Sequence, residues 1–459
     1  MAGKRRSQGF FKRWLLLEMG SAANRMSVKN WQVNRNAKTG GILLATGVLT
    51  AQRMLGGSVI MSQPPVVTTP PVVQEDATNN EMNVFIPSGV VNPDSAGLFQ
   101  YGPVTLHPHV SNSLIYGNGI QSSIGNQQDT LVDTLSPGVT ADLGRHWTVD
   151  YTPTLNFYSS RQFHNSVDQS ASLMGATHYE DWSFSLSQNA NISSDPLTET
   201  GAQTDQQSYS TALSAVYAFA DKWSANASVD QGISLVSGFQ DSYNWSTLEG
   251  VSYEFSPRLN AGISVGGGYT KVSGDASEGD PNPDSVNEEI QFNAAWRATD
   301  KISLQGSVGV NDQQFLKAGY NDSLSPIFSA AIQYQPFKFT QISLSAGRSD
   351  GSSDYFIEAQ TTESTTISLS LNQRILKKYN LSLGVGYSQI QYTTTLSILS
   401  YSFGNARTDD DYSFNASFGR SFLTHGTWAI TYQYSDNESS VAGYSQRSNQ
   451  IGLQVGFSY

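Results

Sequence analysis

Acid–base or metal chemistry in this chain would have to use its six histidines, His107, His109, His146, His164, His178 and His425. His107 and His109 stand two apart, so on a strand they point to the same side. That offers two imidazole ligands, short of the three or four a zinc site needs. None of the six belongs to a helix-borne zinc pattern, and the chain has neither a Gly-rich phosphate cradle nor a nucleophile elbow. His164 and Asp168 share one expected loop, where an imidazole and an acid could serve a hydrolase on a rim, but no third group makes the pair distinctive. Carboxylates gather at Asp275, Glu278, Asp280 and Asp284, and again at Asp409, Asp410 and Asp411. Dense oxygen donors suit calcium, yet neither spacing follows an EF-hand loop, and solvated acidic loops are the plainer reading. The absence of cysteine removes disulfides and thiolate metal sites. The sequence therefore predicts no catalytic residue, no metal and no cofactor.

The elements that would carry these residues are strands. Only 14% of residues are charged, against about a quarter in ordinary soluble domains. Small polar residues and aromatics take their place, with 40 Gly, 22 Tyr and 21 Phe. From Tyr101 onward, apolar and polar residues alternate with the period of two that a sheet with one oily face requires. Trp182, Phe184 and Leu186 share one face, and Ser183, Ser185 and Ser187 the other. Ile290, Phe292, Ala294 and Trp296 repeat the pattern. Very short turns recur about forty residues apart, at 144–146, 180–181, 220–222, 256–258, 299–301, 336–338, 376–378 and 423–426. That interval fits two membrane strands of about ten residues with extensions and one longer loop.

Alternation alone also suits a soluble sandwich, whose apolar face points inward. The placement of the large rings separates the two cases. Of the six Trp beyond residue 100, five (Trp147, Trp182, Trp223, Trp296 and Trp428) fall beside a short turn. Amphipathic rings prefer the depth where headgroups meet hydrocarbon, so these five predict an aromatic girdle at one rim of a transmembrane barrel. Eight turns joining nine hairpins give about eighteen antiparallel up-and-down strands, with sixteen an acceptable count. Short turns and both termini then face the periplasm, and the long loops face outside. No run of about 18 apolar residues occurs, so any crossing is made by strands. Phe457 and Tyr459 end the last strand in aromatics, as an assembly signal for the barrel-assembly machinery would.

The N-terminal part reads differently. Residues 1–53 carry ten Lys or Arg against one Glu, which leaves the rest of the chain at −21 within a total of −12. An acidic body of this kind repels nucleic acid. Residues 40–51 form an apolar stretch of signal-peptide length ending in small residues, so 1–51 is expected to be a signal peptide with a long basic n-region. Met26 would open a more ordinary signal. Residues 52–100 include a Pro-rich run, 63–76, expected to be an extended periplasmic linker; in the alternative export role this segment would contact periplasmic partners. The barrel is assigned to 101–459.

The inward face defines the function to expect. Ser183, Ser185, Ser187, Asn189, Ser368, Ser370, Asn372, Gln433, Gln450 and Gln454 are candidate pore-lining residues, small or neutral and polar. Such side chains are too short to fill a ring of this width, so an aqueous passage with weak ion selectivity is expected. Outside, the partners would be outer-membrane lipid and lipopolysaccharide.

The segment Tyr101-Gly-Pro-Val-Thr-Leu-His-Pro-His-Val, with Asp129-Thr-Leu-Val-Asp-Thr-Leu-Ser-Pro-Gly-Val-Thr-Ala-Asp-Leu143, resembles the opening of the β-barrel porin type 2 family. The cadence of strands and turns extends the likeness over 98–459, although Tyr116-Gly-Asn-Gly119 stands where family members often have an Asp-Asn pair. The resemblance implies an outer-membrane location and no catalytic residues. It favours a channel for passive passage of small polar solutes. The alternative it allows is a component of exopolysaccharide export.

Overall fold

The computed structural model describes residues 99–459 apart from 122–126, 195–202, 239, 274–282, 318, 353–359, 395–406 and 442–443. The expected signal peptide, nearly all of the linker, and Asp275, Glu278 and Asp280 lie outside the described residues. Nineteen strands form one sheet. The first, β1 (Phe99–Tyr101), pairs only with β2 (Val104–Gln121). The other eighteen, from β2 to β19 (Gln446–Ser458), each pair antiparallel with their neighbours in chain order, and β19 pairs back onto β2 to close the ring. Closure leaves no long unpaired edge, which is what a sheet immersed in hydrocarbon requires.

The short turns fall where the alternation breaks. Seven coincide with or lie within the expected positions, from Gly144-Arg145-His146 to Leu423-Thr424-His425. The eighth is displaced. The strand containing Pro336 runs on to Phe337, and the turn is Lys338-Phe339. The register steps from Tyr334 opposite Ile342 to Phe337 opposite Thr340, so Pro336 lies in a one-residue bulge, where its missing N–H costs no ladder bond.

Register fixes the two faces. Leu114, Leu453, Ile430 and Phe418 lie opposite one another across four strands, each exposed on the outward side. Their sequence neighbours face inward. With an apolar outside and a polar inside, the sheet is a transmembrane β-barrel. All five girdle Trp lie on the outward face beside the short-turn rim. Trp182 stacks on Tyr217 with ring centroids 4.5 Å apart, and Trp223 meets Tyr253 at 4.7 Å.

The sixth Trp marks a second girdle. Trp245 stacks with Tyr243 at 6.3 Å and with Tyr269 at 6.0 Å, ten residues up the strand from Phe255. At ~3.3 Å per residue and a tilt of ~40°, ten residues rise about 25 Å, the height of an outer-membrane apolar band.

Candidate functional site: the inward wall

Eighteen strands ~4.8 Å apart and tilted ~40° enclose a ring roughly 35 Å across between backbones. The described inward side chains cannot span that width, so they form a wall and not a packed core. All ten residues expected to line the passage lie on the inward face. Ser185 bonds Ser214 at 2.6 Å, Ser368 bonds Ser345 at 2.6 Å, Asn372 accepts from Ser382 at 2.7 Å, and Gln433 lies opposite Gln450. These cross-strand pairs hold short side chains against the wall.

The ten expected lining residues are neutral, but the inward face also carries charges that the sequence reading did not pick out. On β2, β3 (Gln127–Leu143), β4 (Trp147–Tyr158) and β5 (Ser166–Tyr179), the inward positions bring three aspartates onto one wall. Asp142 accepts from Thr148 at 2.9 Å and contacts His107 Nε2 at 3.1 Å. Asp150 accepts from Thr140 at 2.7 Å and Thr152 at 2.9 Å. The single Thr152 hydroxyl proton goes to Asp150, so Thr152 accepts from His109 Nε2 at 3.0 Å. Asp168 accepts from Asn156 Nδ2 at 2.6 Å and from the Ser194 N–H at 3.1 Å. Each carboxylate is fixed by hydroxyl, amide or imidazole donors, with no Lys or Arg among them.

Asp230 and Glu289 also face inward, next in sequence to the outward Val229 and Ile290. Among the strand arginines, Arg348, Arg407 and Arg447 are ion-paired with Glu363, Asp409 and Asp436 respectively, while Arg297 and Arg374 alternate inward near the short-turn rim. Asp142, Asp150, Asp168, Asp230 and Glu289 thus have no Lys or Arg as an ion-pair partner among the described residues.

Two further expectations are corrected. His164 and Asp168 do not form a pair. Asp168 is buried on β5 with its own donors, while His164 exchanges main-chain bonds with the Gln203 side chain at 3.1 and 3.0 Å. Asp409, Asp410 and Asp411 do not lie in a loop but on β17 (Arg407–Phe422), where strand alternation separates them. Asp409 turns to Arg407, whose guanidinium lies 4.6 Å from the Tyr392 ring and 4.1 Å from the Tyr444 ring, and Asp410 accepts from Tyr387 at 2.7 Å. Asp284 is taken by the Tyr269 hydroxyl at 2.7 Å and the Val272 N–H at 3.1 Å. His107 and His109 engage different neighbours, and among the described residues no group of three or more His, Cys, Asp or Glu is placed to hold a metal.

The other histidines serve the short-turn rim. His178 bonds Ser183 at 2.8 Å, and His425 stacks on Tyr459 at 4.8 Å. Phe457 meets Phe422 edge-on at 5.4 Å.

No family model matches the chain, and no curated relative matches it. Solved structures do. OpdQ of Pseudomonas aeruginosa is 10% identical, with 78% of this chain and 99% of that one covered and a TM-score of 0.44. OpdL of the same organism is 12% identical over 78% and 99%, with a TM-score of 0.43. The outer membrane protein OprD is 10% identical over 78% and 93%, at 0.41.

Proposed function

We propose that this chain is an outer-membrane channel for passive passage of small polar solutes, and that it favours cations over anions. The carrying observation is the inward wall, a closed polar ring on which Asp142, Asp150, Asp230 and Glu289 face the lumen with no Lys or Arg paired to any of them, while the inward Arg297 and Arg374 stand apart at the short-turn rim. Charges of one sign on the wall of a water-filled passage raise the local concentration of the opposite ion. The short-turn rim with its five Trp faces the periplasm in this reading. The signal peptide and linker assigned to residues 1–100 carry the chain there and join it to the envelope. Tyr387, Asp410, Tyr434 and Asp436 stand on the outward face near the loop rim and suit lipopolysaccharide headgroups.

Planar-bilayer recording tests the proposal. Steady openings are expected, with a reversal potential of the cation-selective sign across a tenfold KCl gradient. Replacing Asp142, Asp150, Asp230 and Glu289 together by Asn or Gln is expected to move that potential toward zero while openings persist. A silent bilayer would instead favour the export component, whose support is the Pro-rich segment. An unchanged potential would remove the cation preference alone.

A further inference from the structure

The outward face is not uniform around the ring. On β15 (Gln360–Ile375) to β19 it is apolar through the belt, with Ile367, Leu369, Val385, Ile430, Ile451 and Leu453 all exposed, and the outward Asn112 of β2 is satisfied by Asp133 at 2.7 Å. On β6 (Trp182–Ser193), β7 (Gln206–Ala220), β8 (Trp223–Val236) and β9 (Asp241–Ser256) it is different. Gln188 lies opposite Thr211, and Thr211 opposite Gln231. Thr247 and Glu249 continue this polar stripe on β9, where Glu249 sits between Ala227 and Val265. Side chains here also shrink, and Ala215, Ala225, Ala227 and Glu249 help line a groove of about 470 Å³ walled by Trp182 and Ile263.

The stripe lies inside the hydrocarbon belt. Trp182, Tyr217, Trp223 and Tyr253 form the girdle below it, and Tyr243, Trp245 and Tyr269 the girdle above. Glu249 is four residues up from Tyr253, or about 10 Å of a ~25 Å band. Lipid tails offer no hydrogen bond at that depth, and polar groups left there without partners are costly. None of the five polar side chains has a partner within the described chain.

We propose that the outward face of β6–β9 is the interface between copies of this chain. Barrels inserted with one orientation can be related only by an axis along the membrane normal, so residues near the axis meet their own counterparts at the same depth. The face is suited to itself, because Glu249 supplies acceptors while Gln188, Thr211, Gln231 and Thr247 supply donors. The small residues along the groove leave room for a neighbour's larger ones. This inference depends on the barrel spanning the membrane and not on what passes through it.

The chain has no cysteine, so a single introduced thiol reports contact cleanly. Ala227→Cys, oxidised in intact outer membranes, is expected to give a band of twice the chain's mass on denaturing gels. Val385→Cys, 48% exposed on the apolar side, is expected to stay single. Combining Glu249→Leu, Gln231→Leu and Thr247→Val with Ala227→Cys should abolish the linked band. Heat-modifiable gel migration shows whether each variant remains folded. A folded Ala227→Cys protein that stays single, links to a different protein, or links no more readily than Val385→Cys would overturn the proposal, as would a linked band that survives the three polar replacements.

Discussion

Nδ1 of His107 lies 3.2 Å from the main-chain oxygen of Tyr459, a residue 352 positions later, while Nε2 of the same ring reaches Asp142 at 3.1 Å. One buried imidazole thus fastens the first long strand to the last and to its other neighbour, at the point where the ring closes. The Tyr459 N–H adds a bond to the Pro108 carbonyl at 3.1 Å.

His107→Ala removes both contacts and leaves Asp142 short of one of them. A loss of about 0.5–1.5 kcal/mol is expected, the usual net worth of a hydrogen bond, because the exposed Asp142 and Tyr459 are rehydrated when the imidazole is removed. It should appear as a lower temperature of conversion from the fast-migrating folded band to the unfolded band. An unaltered conversion temperature would mean that the backbone ladder alone holds the seam.

Gly175 lies under the Trp147 indole on the outward face. A Cβ built at Gly175 would stand 2.1 Å from Trp147 Cε3, so any side chain there must displace the ring. Gly175→Val is expected to destabilise the barrel by about 1–3 kcal/mol, the usual range for overpacking. The same substitution in a Trp147→Ala background should cost markedly less. Equal costs in the two backgrounds, read from chemical unfolding in lipid vesicles, would refute the contact.

The turn after Ile375 is closed by the Lys378 N–H bonding the Ile375 carbonyl at 3.1 Å, and its central residues, Leu376 and Lys377, have φ of 52° and 60°. Side chains rarely adopt this conformation, which Asn-Gly takes readily in tight hairpins. Replacing the pair by Asn-Gly is expected to stabilise the barrel by about 0.5–1 kcal/mol per relieved residue. A lowered unfolding midpoint would show that the Leu376 side chain, 79% exposed here, is held by contacts that outweigh the strain.

Trp245 and Trp223 stand at opposite edges of the apolar belt. In vesicles with the barrel inserted one way and a quenching lipid confined to one leaflet, the fluorescence of only one girdle should fall. Trp245→Phe should remove most of the quenching from the leaflet at the loop rim and none from the other. Trp223→Phe should leave quenching from the loop-rim leaflet unchanged and remove only part of that from the other, because Trp147, Trp182, Trp296 and Trp428 share its rim. Equal quenching of both residues from a single leaflet would contradict the two-girdle geometry.

What the sequence determined by itself is everything that alternation and turn chemistry specify locally. Side chains alternate with a period of two on any strand, so Phe184 and Ser185 had to fall on opposite faces wherever the strand was placed. Breaks in that rhythm marked the turns, and the five Trp beside them marked one rim. What only the tertiary structure decided depends on register between strands, which the period of two does not contain. Asp142, Asp150 and Asp168 each alternate inward on their own strands, but their meeting on one wall follows from how β2 to β5 slide past each other. Asp409 to Asp411 looked like loop residues because three adjacent acids carry no alternation, and only pairing with β16 (Tyr379–Thr394) and β18 (Gly426–Ser439) shows them as strand. Trp245 lay too far from any short turn to be recognised as a girdle residue until the register stacked it between two tyrosines. The contact between His107 and Tyr459 was out of reach for the same reason, since local pattern sets the direction of a side chain while the closure of the ring sets what it meets.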